Sequence, residues 1–288
     1  MSGTCGTPAE CDIVDSFVPT LRVGLIYIVP LAQRAMNIPI LTYHSIDESG
    51  SVISMPPGVF RRQMKFLSET GWNVVALNDL ARMLPDRRPI SEKTAVLTFD
   101  DGFQNFYTEA FPVLEEYGFT ATVFLVTDCV GKHNFWENKE DGSTGMPLGK
   151  LLSWDEIKEL SKSGIDFGAH SVSHPDLTKI PLEEARREII ESKSAIEQHL
   201  GTAAATFAYP YGHFNEQVKE IVKDNFAAAV STNLGKVTTG NDIHALKRLD
   251  TFYLRDERIF NSLSKRKFEH YMRLRQALRS VKKRFTTD

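Results

Sequence analysis

From Ile38 onward, short apolar runs rich in β-branched residues alternate with amphipathic stretches. Strands are predicted at Ile38–Tyr43, Trp72–Leu77, Thr94–Phe99, Thr120–Val126, Ile165–Gly168, Thr206–Tyr209, Ala227–Ser231 and Leu246–Leu254. A run such as Thr94-Ala95-Val96-Leu97-Thr98-Phe99 hardly alternates, which is the pattern of a strand covered on both faces. Between the strands, a helix over Phe60 to Glu69 places Phe60, Met64 and Leu67 on one side. Another runs from Phe103 to Tyr117 and stops at Gly118. Ser153 and Glu156 form a capping-box pattern for a third, which ends at Gly164. Leu182 to Leu200, closed by Gly201, and Glu216 to Asp224 complete the set. About eight strands alternating with helices argue for a parallel α/β fold, either an open sheet or a barrel.

The two ends differ from this body. Residues 1–37 show no sustained periodicity and read as an N-terminal extension, leaving 38–255 as the α/β domain. Residues 256–288 form a tail with Lys265, Arg266, Lys267, Arg273, Arg275, Arg279, Lys282, Lys283 and Arg284 among Phe268, Tyr271, Met272, Leu274 and Leu278. That is a basic amphipathic helix, suited to docking on the domain with a solvated face, or to contact with a membrane surface or an anionic polymer.

Composition narrows the function classes. The chain has 288 residues, 42% hydrophobic and 25% charged, which excludes disordered and fibrous classes. A formal net charge of -3 provides no basic field for nucleic acid. No apolar run approaches the roughly 20 residues needed to span a bilayer. The longest, Val23 to Ala32, contains Pro30 and follows Glu10, Asp12 and Asp15, unlike a secretory leader. The expectation is a cytoplasmic or membrane-peripheral protein, with export left open. Three scattered cysteines, Cys5, Cys11 and Cys129, make neither a disulfide framework nor a CxxC metal clip.

Three segments fall at predicted C-terminal strand ends, where parallel α/β folds build their sites. In Thr98-Phe99-Asp100-Asp101-Gly102, a turn at Gly102 can bring two carboxylates to one side. Such a pair persists near neutral pH only beside a cation or strong hydrogen bonds. Taken alone, Asp-Asp-Gly also suits a solvated turn. In His170-Ser171-Val172-Ser173-His174-Pro175, two imidazoles four residues apart can grip one metal ion, and Pro175 favours a loop there. One carboxylate with two imidazoles leaves an open metal position, the catalytic zinc pattern, and the second carboxylate remains as a base. Phe207-Ala208-Tyr209-Pro210-Tyr211-Gly212 reads as a rigid turn whose aromatics can wall a sugar-binding groove or simply join the core.

In this order and spacing, the three segments resemble the NodB-type polysaccharide deacetylases, the family-four carbohydrate esterases. The resemblance spans Ile38 to Leu254, with Phe111–Leu114, Thr120–Phe124 and Leu152–Ile157 similar to the family framework. It implies a distorted (β/α) barrel of seven to eight parallel strands. The implied reaction is metal-dependent removal of N-acetyl groups from amino-sugar oligo- or polysaccharides. It implies Asp100 as general base and Asp101, His170 and His174 as ligands of a divalent metal. Zinc comes first, with cobalt, nickel, manganese and iron compatible. The Tyr211 backbone N–H is the implied oxyanion donor, with Tyr209, Pro210 and Gly212 shaping that turn.

Two departures stand out. Many members open the third segment with an arginine that orients the base. Phe207 and Ala208 occupy that region here, and Arg248 on the last predicted strand is the candidate substitute. Many members also supply a general acid from a late Leu-x-His motif, which is missing here, since the only histidine after Leu254 is His270. His44, after the first strand, resembles instead the acid of a subgroup related to biofilm poly-N-acetylglucosamine deacetylases. Asp250 is a candidate to orient it, or to pair with Arg248. A metal-dependent amidohydrolase for a non-sugar amide and an inactive carbohydrate-binding barrel are the competing functional readings.

Overall fold

The computed structural model describes residues 37–84, 90–137, 148–238 and 240–285. The N-terminal extension, including Cys5 and Cys11, therefore lies outside the described residues apart from its last position.

In chain order the elements are β1 (Ile40–Tyr43), β2 (Ser45–Ile46), β3 (Ser54–Met55), α1 (Pro57–Glu69), β4 (Asn73–Val75), α2 (Leu77–Met83) and β5 (Thr94–Phe99). A π-helical turn (Phe106–Ala110) then runs into α3 (Phe111–Glu116), followed by β6 (Thr122–Leu125), α4 (Trp154–Lys162), β7 (Asp166–Ala169) and α5 (Leu182–Leu200). The chain continues through β8 (Thr206–Ala208), α6 (Glu216–Asn225), β9 (Ala228–Leu234), β10 (Leu246–Asp250), α7 (Glu257–Phe260) and α8 (Arg266–Phe285).

The main sheet runs β1-β10-β9-β8-β7-β6-β5, every pair parallel, and β1 pairs back onto β5 through Ile40↔Val96 to Tyr43↔Phe99. This closes a seven-stranded barrel. β4 is an eighth strand laid against the start of β5, outside the ring. The expected strand at Trp72–Leu77 is therefore peripheral and short. Its last residue begins α2 instead, because Leu77, Leu80 and Ala81 turn into an apolar cluster with Ile40, Val96, Phe124, Ala208, Val230 and Leu246.

Those strand residues alternate with a second set, Leu41, Tyr43, Leu97, Phe99, Val123, Leu125, Phe207 and Leu249, which packs under the helices. Alternate side chains of one strand thus fill the barrel and the surrounding layer. Burial of both sets removes the polar alternation from the sequence. Gly168 is small for the same reason: a Cβ there would lie 2.6 Å from both Phe124 Cε1 and Thr206 Oγ1.

Local signals were accurate where the chemistry is local. The Ser153–Glu156 capping box starts α4, with the Ser153 N–H donating to Glu156 Oε2 at 2.8 Å and the Glu156 N–H donating back to Ser153 Oγ at 3.3 Å. Gly201 closes α5 in a left-handed conformation, φ 69°. The helix expected from Phe103 is regular only after Phe111. Pro112 has no N–H for the carbonyl of Thr108, and the winding is wider just before it. The strand expected to reach Leu254 ends at Asp250, whose carboxylate accepts the Phe252 N–H at 3.0 Å and starts a 3₁₀ turn. The tail helix α8 docks through buried Phe268 and Met272, and Lys236 Nζ donates to Glu269 Oε1 at 2.6 Å.

Candidate active site

At the end of β5 the Asp100 N–H still completes the ladder, donating to Tyr43 O at 3.0 Å. Asp101 and Gly102 then adopt left-handed backbone, φ 71° and 73°. The alternation is broken, and both carboxylates sit buried at the mouth of the barrel. The His170 N–H likewise extends β7, donating to Leu125 O at 2.9 Å, and the chain loops back through Ser171 (φ 65°) to His174 (φ 62°). With Tyr211 (φ 57°), these are the four non-glycine residues of positive φ among the described residues. All four lie in the three segments singled out from the sequence. Backbone strain of about 1–3 kcal/mol per residue is held there by the surrounding packing.

Asp101 Oδ1 lies 3.6 Å from His170 Nε2 and 3.6 Å from His174 Nε2. All three ligand atoms fall within 4.8 Å of one another, and all three residues are buried. His170 Nδ1 is 2.7 Å from the carbonyl of Ala208, an acceptor, so this nitrogen carries the proton and Nε2 presents its lone pair to Asp101. Burial lowers the pKa of both imidazoles, His170 to about 4, so both are neutral near pH 7. Distances too long for hydrogen bonds, a converging carboxylate and two bare imidazole nitrogens match a divalent metal. The donor set fits the metal expected from the sequence.

Asp100 is occupied differently. The Arg248 guanidinium, from β10, donates from Nη1 to Asp100 Oδ1 and from Nη2 to Oδ2, both at 2.7 Å. Arg248 Nε donates to Ser231 O at 3.0 Å. Burial pushes the Asp100 carboxyl up, but the guanidinium outweighs it and holds the group well below the usual carboxylate range. His44 Nε2 stands 3.8 Å from Asp100 Oδ2, on the open side. Burial lowers the His44 pKa, against the opposing pull of Asp100 and Asp250.

With this geometry in hand, known proteins can be compared. The polysaccharide deacetylase family profile matches residues 87–229, which include Asp100, Asp101, His170, His174 and Tyr211. The chain belongs to the polysaccharide deacetylase family. Members hydrolyse N-acetyl amide bonds, which makes this chain a hydrolase of carbon–nitrogen bonds other than peptide bonds. It is 28% identical over 219 residues to YxkH of Bacillus subtilis (strain 168), a provisionally named polysaccharide deacetylase, covering 75% of this chain and 72% of that protein. It is 24% identical over 228 residues to the poly-beta-1,6-N-acetyl-D-glucosamine N-deacetylase of Staphylococcus aureus (strain COL), covering 71% and 74%. Among solved structures, the Streptococcus pyogenes deacetylase PplD in complex with acetate superposes with a TM-score of 0.66 at 26% identity, covering 75% of this chain and 93% of that one.

The remaining site candidates of this deacetylase-family chain divide. Tyr211 stands at the rim, its ring 4.6 Å from that of His174. Tyr209 does not line the cleft: it is fully buried, its ring stacks on Phe214, and its hydroxyl donates to His244 O at 2.9 Å. Pro210 is buried as well. Gly212 serves the backbone, since a Cβ there would lie 2.2 Å from Thr232 Oγ1. The Arg248 fork is directed to Asp100, and the Asp250 carboxylate caps the following turn while also acting on His44 through its charge. His270 is exposed on α8.

Two partners of the His170–His174 loop escaped sequence reasoning. Glu188, on α5, accepts the Val172 N–H at 2.8 Å, the Ser173 N–H at 2.9 Å and the Ser173 hydroxyl at 2.7 Å. Trp136 packs 5.0 Å from the His174 ring. Glu188 is one of several acids on a charged helix, and nothing in its spacing marks it.

Proposed function

We propose that this chain removes N-acetyl groups from N-acetylglucosamine-type oligo- or polysaccharides, releasing acetate and a free amine. The observation that carries this reading is the division of the adjacent acids: Asp101 faces two neutral imidazoles, while Asp100 is held ionised by Arg248. The name of the Staphylococcus aureus relative supports a β-1,6-linked glucosamine polymer as the substrate class. The intact Asp-Asp-His-His set speaks against an inactive barrel.

Asp101, His170 and His174 would hold the divalent ion, zinc by the chemistry of this donor set. Such an ion polarises the amide carbonyl and acidifies water. Asp100, kept ionised and oriented by the guanidinium fork, accepts the proton of the attacking water. The Tyr211 N–H donates to the developing oxyanion. Protonated His44, on the open side of Asp100, delivers a proton to the leaving nitrogen. Acetamide cleavage expels a poor leaving group, so an acid is needed as well as a base.

The test is acetate release from a panel of N-acetylated oligosaccharides, with chelator and with added metals. Activity that disappears with chelator and returns with zinc supports the proposal. An Asp100→Asn variant should retain metal and lose roughly 10²–10⁴-fold in turnover. Acetate released only from non-sugar amides would move the chain to the competing amidohydrolase reading.

A further inference from the structure

His44 and Asp100 follow different strands, β1 and β5, and His44 Nε2 stands 3.8 Å from Asp100 Oδ2. Their spacing is set by the backbone on both sides of the imidazole. Before His44, the Tyr43 carbonyl accepts the Asp100 N–H at 3.0 Å. After it, the chain enters β2, where successive N–H groups point to opposite edges of the strand. The Ser45 and Asp47 N–H groups turn toward β3 and its flank, donating to Ile53 O at 3.2 Å and to Met55 O at 3.0 Å. The Ile46 N–H faces the other edge. There Asn105 Oδ1 accepts it at 3.1 Å, and Asn105 Nδ2 donates to Ser45 Oγ at 2.6 Å. One side-chain amide thus stands in for a neighbouring strand along the two residues that follow His44.

Asn105 belongs to the same short stretch of chain as Asp100. That stretch is itself fixed. Gly102 O accepts the Leu152 N–H at 2.9 Å, and the Gln104 N–H donates to Lys150 O at 2.9 Å. Phe106 is buried, its ring edge-on to Phe99 with centroids 4.7 Å apart. From this base the segment grips the chain around His44 at three points: the Tyr43 carbonyl, the Ser45 hydroxyl and the Ile46 N–H. Ser45 and Ile46 are both buried. A carboxamide suits the place because it carries an acceptor and a donor on one short side chain. An apolar residue there would leave the buried Ile46 N–H unpaired.

We propose that Asn105 is a positioning residue for the proton donor: by holding Ser45 and Ile46, it sets where His44 stands relative to Asp100 and to the leaving nitrogen. Asn105 touches no reacting atom. One anchored segment carries the base and, through Asn105, places the acid, so the two groups keep their mutual distance while substrate enters and leaves. Proton transfer is steep in distance, and a displacement of about 1 Å can cost up to about 10²-fold in rate. This rests on the deacetylase reading above, with His44 as the acid.

The experiment is a double-mutant cycle on zinc-loaded protein. Acetate release from an N-acetylated glucosamine oligosaccharide and hydrolysis of an aryl acetate are measured for the wild type, Asn105→Ala, His44→Ala and the variant combining both. Ser45→Ala, which removes one of the two Asn105 contacts, is measured alongside, with zinc affinity and Tm for each protein. Asn105→Ala is expected to lower the acetamide kcat by roughly tenfold, with KM and zinc affinity little changed and a much smaller loss on the aryl acetate. Ser45→Ala should show the same pattern with a smaller loss. In the His44→Ala background, Asn105→Ala should add no further loss, because a residue that acts through His44 then has nothing to place. A loss that persists undiminished in that background, or that falls equally on amide and aryl ester, overturns the proposal. So does a wild-type acetamide kcat in Asn105→Ala. Should Asn105→Ala fail to fold, Ser45→Ala in the same cycle decides by the same criteria. His44→Ala with unchanged acetamide turnover would sink the general-acid reading and this proposal with it, and acetate release from no glycan would sink the deacetylase reading itself.

Discussion

Arg248 and Asp100, 148 positions apart in sequence, meet inside the barrel mouth through two parallel hydrogen bonds of 2.7 Å. Both side chains are almost wholly buried. Such a fork fixes the carboxylate in plane as well as in charge, which a lysine cannot do. The orienting arginine is thus delivered by β10, whereas the third sequence segment carries Phe207 and Ala208 on β8.

Removing it has a large effect because Asp100 cannot be rehydrated in place. Arg248→Ala is expected to cost about 3–5 kcal/mol, the penalty for stranding one member of a buried pair. The Asp100 pKa is depressed in the wild type, so its stabilisation is present above the unfolded value near 3.9 and is lost only at lower pH. In the variant, burial dominates and raises the pKa. The acid limb of kcat/KM should therefore move to higher pH, and urea melts should show the Asp100 contribution reversed in sign: the variant loses stability as pH rises from about 3.9 through the raised pKa, whereas the wild type loses it as pH falls below about 3.9. An unchanged acid limb would place the proton acceptor elsewhere.

His44 should separate amides from activated esters. A phenolate leaves without help, whereas an amine must be protonated. His44→Ala is expected to lower acetamide turnover by on the order of 10²-fold and to spare an aryl acetate. Burial lowers the His44 pKa below 6.5, so the alkaline limb of kcat that depends on its proton should begin below that value unless substrate raises it. Equal losses on both substrates would make His44 a positioning residue.

The imidazole pair predicts a pH window for the apoprotein. His170 titrates at about 4 when folded and near 6.5 when unfolded. Below 6.5 the unfolded chain therefore binds a proton that the fold does not, and stability falls as pH drops toward 4. Chelator-treated protein should show this decline in thermal melts. His170→Ala should reduce it and also abolish zinc binding measured by titration calorimetry.

Glu188 tests the support of the loop that carries the proposed metal ligands His170 and His174. It touches no ligand atom but collects two N–H groups and a hydroxyl from Val172 and Ser173, within the loop strained at Ser171 and His174. Glu188→Ala is expected to weaken metal affinity by about 10–100-fold, the usual effect of losing an outer partner. Glu188→Asp should recover part of it. A normal affinity with a merely lower Tm would reduce Glu188 to a structural contact.

Much of this architecture was legible in the chain. Doubly buried strands lose their alternation, caps are local hydrogen bonds, and Asp-Asp-Gly and His-x-x-x-His carry their chemistry in neighbouring residues. By itself the sequence determined the α/β alternation, the helix ends at Ser153 and Gly201, and the cluster of Asp100, Asp101, His170 and His174 at and just beyond strand ends. Tertiary structure decided what depends on chain segments far apart. Closure of β1 onto β5 made seven strands a barrel and left β4 outside. Burial turned Tyr209 into core, and the meeting of β10 with β5 joined Arg248 to Asp100. α5 placed Glu188 under the histidine loop. Local hydrogen bonding and periodicity are written over a few residues, whereas ring closure and ion pairing depend on which distant segments come to share the same few ångströms.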